Sequence, residues 1–158
     1  MDQLSHFDSD GASRMVDVAE KAVTRRVARA SGRIRLHPET VRLIRDRAVA
    51  KGDVLEVARL AGIMAAKRTS EWIPLCHVVP LDAVELAFEF VGDDMVAIEA
   101  TARATARTGV EMEALVAVST AAMTIYDMCK SVDRGMVIER IQMEEKSGGR
   151  SGHYVRSE

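Results

Sequence analysis

Aromatic residues are nearly absent from this chain: one Trp, two Tyr and three Phe make up 4% of its 158 residues. A core without them has to come from close packing of small and aliphatic side chains. Only two cysteines are present, Cys76 and Cys129, too few for a disulfide framework and lacking the spacing of a zinc site. A reducing compartment is expected. Charge of one sign is also lacking: the net charge is −2 and Lys and Arg are scattered. Nucleic-acid binders gain affinity by neutralising phosphates with a basic stripe, so no nucleic-acid partner is expected. A small anionic ligand needs only a local cation cluster and stays open. No apolar run approaches the ~20 residues of a membrane span. Met1 to Asp10 is acidic, without the apolar segment of a secretory signal. The expectation is a cytoplasmic protein with no membrane partner.

What is present, 47% hydrophobic and 29% charged residues, suits one globular domain. Residues 1–14 are polar and read as a flexible N-terminal arm. Residues 15–146 read as a single α+β domain, and 147–158 as a flexible Gly-rich tail. Met15–Val18 is a short strand candidate. Val23 to Leu36 alternates in part and reads as a strand or hairpin with Gly32 at a bend. Pro38 opens a helix running to about Ala50. Asp53 is a good N-cap for a second, from Val54 to Thr69, with Val54, Val57, Ala58, Ala61, Met64 and Ala65 as its apolar face. Ile73 to Pro80 is a loop bounded by prolines. Ala83–Val91 alternates clearly, Gly92-Asp93-Asp94 turns, and Met95–Ala106 returns as the second arm of a hairpin. A long helix runs from Thr108 to about Ser131, and Val137–Glu145 is a last, imperfectly alternating strand. Segregated strands and helices with antiparallel hairpins indicate α+β, with helices on one face of an antiparallel sheet. A ferredoxin-like plait is the preferred form.

The long helix carries most of the chemistry-bearing residues. Thr108-Gly109-Val110-Glu111 matches a capping box, which is one reading of Glu111 and at least part of a role for it; Glu113 gains nothing from it. From Ala114 to Tyr126 no side chain is charged, and two apolar stripes run along the helix. A helix apolar around most of its circumference is buried on more than one side, and in a domain this small a second subunit is expected to cover it. Charges resume at Asp127 and Lys130. At i,i+3 this is either a surface ion pair or, if half-desolvated, a pair with the shifted pKa values that acid–base chemistry requires. Lys51 sits beside Gly52, where backbone can approach a ligand. Lys67 and Arg68 close a helix, where cations complement the dipole. Cys76 and His77 are sequence neighbours on an extended chain and point apart, which disfavours a thiol–imidazole pair; His77 remains a proton-transfer candidate. His6, His37 and His153 form no ligand pattern. Lys146 to Gly152 looks like a phosphate loop but lacks its residue order; as a basic tail it either folds over an anion or stays disordered.

Lys51-Gly52-Asp53-Val54, Ala61 to Thr69, Ile73-Pro74-Leu75-Cys76-His77, Thr108 to Leu115 and Thr124 to Lys130 together resemble the cyclic pyranopterin monophosphate synthases, molybdenum cofactor biosynthesis protein C. The resemblance runs from Met15-Val16-Asp17-Val18 to Lys146-Ser147-Gly148-Gly149. It implies a ferredoxin-like subunit in a hexamer, a trimer of dimers with sites at subunit interfaces. It also implies a reaction: a cyclic dihydro-GTP derivative is rearranged to cyclic pyranopterin monophosphate with loss of pyrophosphate. By motif, Asp127 matches the active-site residue and Lys51 and Lys130 match catalytic lysines. Leu75, Cys76 and His77 match one substrate-binding stretch, Met112 and Glu113 another. Glu111, Lys67 and Lys146 are further substrate-binding candidates. No redox cofactor and no protein metal site is implied, although magnesium can accompany the triphosphate. Two departures stand out: Ala106-Arg107 where Gly-Lys is usual, and Val78-Val79 where His77 is usually followed by Pro. Neither removes a proposed catalytic group. A nucleotide-binding regulatory module and a purely structural oligomer are the competing readings.

Overall fold

The computed structural model describes residues 6–157. Along the chain run β1 (Thr24–Arg35), α1 (Pro38–Arg45), α2 (Val54–Ala66), α3 (Thr69–Trp72), β2 (Ala83–Val91), β3 (Met95–Ala106), α4 (Glu111–Cys129), β4 (Val137–Ser147) and β5 (Tyr154–Val155). The strands form one antiparallel sheet in the order β2-β3-β1-β4-β5. The succession β1-α2-β2-β3-α4-β4, with β1 and β3 central, is the ferredoxin-like plait. The α+β class read from the sequence is therefore the observed one, with α1, α3 and β5 as additions.

Alternation explains the sheet and small side chains explain the packing. Ala28 and Ala30 of β1 lie opposite Ala102 and Ala100 of β3, and all four are fully buried, as are Ala114, Ala117, Ala121 and Ala122 of α4. The helix thus lies on a floor of methyl groups, close enough that glycine is needed twice. A Cβ at Gly32 would lie 2.6 Å from Val118 Cγ1, and one at Gly62 would lie 2.9 Å from the Ala117 carbonyl of α4. Gly32 therefore marks the approach of a helix rather than a bend: β1 is one unbroken strand.

By length and composition α4 qualifies as a membrane span, contrary to the expectation that no such run exists; Ser and Thr within it hide the run from inspection. In the fold it is the core helix, packed on β1, β3 and β4 and flanked by α2. The chain itself thus covers two sides of α4, and the expected need for a second subunit there overlooked α2. Left exposed are Met123 on α4 and Val57, Leu60 and Met64 on α2.

Other boundaries differ for local reasons. The first helix stops at Arg45, short of Ala50, where Arg47 turns left-handed at φ 54°. The second stops at Ala66, and Thr69, whose hydroxyl donates to the Ala66 carbonyl, starts a separate turn of helix. Met15–Val18 joins no strand. β4 shifts register twice against β1, with Arg140 at φ 56°. Such bulges are the reason its alternation is imperfect. Within residues 148–157, glycines at positive φ turn the chain and Tyr154–Val155 pairs with Glu145–Lys146. In the arm, Asp8 accepts from the Asp10 and Ala12 amides and Phe7 bridges to Ser13. Residues 1–5 of the arm and residue 158 of the tail lie outside the described residues.

Candidate active site

The two ends of α4 carry two separate groups of polar side chains. At the C-terminal end, Lys130 Nζ lies 2.6 Å from Asp127 Oδ1. Lys51 reaches over from the turn before α2, donating to the Asp127 carbonyl at 3.0 Å, with its Nζ 3.9 Å from Oδ2. That turn is set by Gly52 at φ 104° and by Asp53, which accepts from the Glu56 amide to cap α2. The three residues expected to act together do meet. The hydrogen bond from Lys130, then its charge and that of Lys51, hold the Asp127 carboxyl below its ordinary range. The Asp127 side chain is 61% exposed. The pair is therefore a surface ion pair in a single chain, and half-desolvation is not what shifts it.

At the N-terminal end the expected capping box does not form. Helix α4 begins at Glu111 with Val110 as N-cap and no side-chain cap. The Glu111 carboxylate folds back over Gly109, where any Cβ would collide with it, and lies 3.8 Å from Lys146 Nζ. Glu113 is 3% exposed. Burial, and secondarily the Glu111 charge, pushes its carboxyl up to about 7. Cys76 is close enough to feel both carboxylates, and burial first, then Glu113 and Glu111, raises its thiol. A raised thiol is a poor nucleophile, in line with the doubt about thiol chemistry. Leu75, at φ 63°, turns the loop that carries Cys76 and His77. His77 lines a cleft with Val79 and Thr105–Thr108. Lys67, exposed at the C-terminus of α2, lines a neighbouring cleft with Val78–Leu81, and Met112 is half-buried on α4. Glu111, Met112, Glu113, Leu75, Cys76, His77, Lys67 and Lys146 thus gather round one end of α4.

Asp127 and Glu111 are about 24 Å apart along α4 at 1.5 Å rise per residue. One chain does not bring the two groups together. Among the described residues no three His, Cys, Asp or Glu side chains cluster as metal ligands do.

Two residues went unnoticed in the sequence. Asp133, 4% exposed, accepts from the His37 amide at 2.8 Å, the Thr40 hydroxyl at 3.2 Å and the Gly135 amide at 3.0 Å. It ties the loop after α4 to the start of α1, which His37 does not cap with its own side chain. Nothing local in the sequence signals this. Arg26 is buried at the end of β1, and its signal was available: it shares the inward phase of Ala28, Ala30 and Ile34.

Residues 15–149 match the MoaC family. A cyclic pyranopterin monophosphate synthase of Heliobacterium modesticaldum is 58% identical over 161 residues, covering all of both chains. Cyclic pyranopterin monophosphate synthase 1 of Mycobacterium bovis is 60% identical over 154 residues, 98% of this chain and 91% of the relative. The synthase of Thermomicrobium roseum is 58% identical over 159 residues, all of this chain and 96% of the relative. With a family match over residues 15–149 and relatives 58–60% identical over nearly their whole length, this chain belongs to the MoaC family.

Proposed function

We propose that the chain is a cyclic pyranopterin monophosphate synthase, a lyase of molybdenum cofactor biosynthesis acting in the cytoplasm. It converts 3',8-cyclo-7,8-dihydroguanosine 5'-triphosphate to cyclic pyranopterin monophosphate and releases pyrophosphate. The observation that carries this reading is identity of 58% over the whole length of a protein of that name.

The chemistry suits the residues. Opening and re-closing the base-derived ring needs proton donors and acceptors, the role of Lys51, Asp127 and Lys130. Attack of a ribose hydroxyl on the α-phosphate needs cations to stabilise the departing pyrophosphate. Glu113, with a carboxyl at about 7, exchanges a proton near neutral pH close enough to Cys76 to raise its thiol. No resident cofactor is required, and any magnesium enters with the triphosphate as part of the substrate.

The separation along α4 supports the oligomeric part of the proposal. A gap of about 24 Å is too long for one substrate to bridge within a chain. Each site then takes Lys51, Asp127 and Lys130 from one copy and the N-terminal end of α4 from another, within a hexamer built as a trimer of dimers. Contact with that second copy would also remove water from Asp127, giving its pair the desolvation that a single chain lacks.

The test is incubation of the purified protein with the cyclic dihydro-GTP intermediate, following pyrophosphate and pterin product. Release of both is the expected result. Tight binding without pyrophosphate release would favour a regulatory nucleotide-binding module, and neither binding nor turnover a structural oligomer.

A further inference from the structure

The piece of chain that carries Lys51 is fastened to the end of α4 at two points. Lys51 makes one of them itself, through the Asp127 carbonyl at 3.0 Å. The segment Asp46–Gly52 is otherwise exposed, apart from Val49 against the core. It keeps its own shape by short-range bonds. The Arg47, Ala48 and Gly52 amides donate to the Ile44, Leu43 and Val49 carbonyls, and Arg47 pairs with Asp53 at 3.2 Å. A segment that is stiff within itself goes where its two ends go. One end is α2, whose first residue, Val54, is buried; the other is the short helix α1, seated by Val41 and Ile44.

The second fastening is Asp133, at the start of α1. Its Oδ2 accepts from the His37 amide and the Thr40 hydroxyl, and its Oδ1 from the Gly135 amide. His37 makes no side-chain cap for α1, so an acceptor 96 residues away takes its amide instead. The Asp133 amide bonds to the Cys129 carbonyl at 3.0 Å and the Tyr126 hydroxyl donates to the Arg134 carbonyl at 3.3 Å, which winds this loop onto the last turn of α4. Asp133 thus joins the end of α4 to the helix that leads to Lys51. The buried Cys129 lies within electrostatic reach of both: burial first, then Asp133, raises its thiol to about 11, and Lys51 pulls it down. Lys130 needs no such tie, because its own amide bonds to the Tyr126 carbonyl and α4 sets its place.

We propose that Asp133 is a positioning residue for the reaction: by tying the start of α1 to the end of α4, it sets Lys51 over Asp127. The assignment rests on the synthase reading. Asp133 acts through Lys51 alone, and a reacting group misplaced by about 1 Å can cost about a hundredfold in rate.

The test is a double-mutant cycle read in kcat and KM with the cyclic dihydro-GTP intermediate. Asp133→Ala, and Thr40→Val as a milder cut of the same tie, are each made in the parent and in Lys51→Ala, whose residual rate is read in single turnovers with excess enzyme. In the parent, Asp133→Ala should lower kcat roughly ten- to a hundredfold and Thr40→Val several-fold, with KM little changed. In Lys51→Ala neither should lower the rate further, because the lysine to be placed is gone. Equal factors in both backgrounds, the mark of a smaller folded fraction, overturn the proposal, as does an unchanged kcat in the parent. A second readout needs no turnover. Hydrogen exchange at the Arg47, Ala48 and Gly52 amides should quicken roughly ten- to a hundredfold in Asp133→Ala, while the amides of residues 114–122 keep their protection. Unchanged exchange at those three amides overturns the positioning role even in a chain that turns over. Quickened exchange in a chain that releases no pyrophosphate would sink the synthase reading and leave the placing of Lys51 by Asp133 standing.

Discussion

Glu113 offers the sharpest test of the electrostatics. Its carboxyl is buried in the first turn of α4 and titrates at about 7 rather than 4.5. Between those two values the folded chain holds a proton that the unfolded chain has released. The group's contribution is therefore fully present below about pH 4.5 and is lost as pH rises through about 7. A displacement from 4.5 to about 7 is worth about 3 kcal/mol at alkaline pH, as an order of magnitude. The perturbation is Glu113→Gln, which keeps the shape and stays neutral throughout. Urea unfolding of parent and variant at about pH 5 and about pH 8 isolates this contribution. The parent should lose about 2–3 kcal/mol more than the variant over that interval, with the variant the more stable at about pH 8. Parallel pH profiles would refute the reasoning, since they would mean that Glu113 is ionised in the folded chain. Stability of an oligomer depends on concentration, so both proteins have to be compared at one concentration.

Lys51→Ala and Lys130→Ala should each lower turnover at least about a hundredfold while light scattering reports an unchanged assembly; near-normal rates would remove that lysine from the mechanism. The parent should scatter as a species larger than a monomer, and a stable monomer would contradict the two-copy site. Asp133→Ala leaves the His37 amide and Thr40 hydroxyl without their acceptor and should cost about 1–3 kcal/mol in chemical denaturation, with no loss expected from Asp10→Ala, at an exposed position, as a control. Gly62→Ala pushes a methyl against the Ala117 carbonyl and should destabilise by about 1–3 kcal/mol; an unchanged midpoint would show that α2 can move away.

The plait was legible because its signals are periodic. The alternation of Ala83–Val91 and Met95–Ala106 gave both strands to the residue, and Asp53 marks the start of α2 by its own side chain. Where a local pattern competed with tertiary contact, the contact won. Thr108 and Glu111 have capping-box spacing, yet Glu111 turns towards Lys146 on β4. Gly32 has the look of a bend and is instead the place where Val118 presses on the strand. The Lys51, Asp127 and Lys130 group followed from family resemblance, because no spacing rule links position 51 to 127. Arg26 and Asp133 act on segments about 80 to 100 residues away, and such partners lie beyond the reach of any local pattern.

The methyl floor beneath α4 has a mechanical meaning. A helix seated on bulky, flexible side chains can rock as they change rotamer, whereas alanine has no rotamer to change. With Gly32 and Gly62 locking it on two sides, α4 behaves as a stiff rod whose ends hold a constant spacing. The span from the Glu113 end to the Asp127 end is then a gauge built into every copy. Any adjustment to a bound molecule has to come from the pieces hung on the rod: the Lys51–Asp53 turn, the Arg107–Gly109 loop and the paired glycines at 148 and 149.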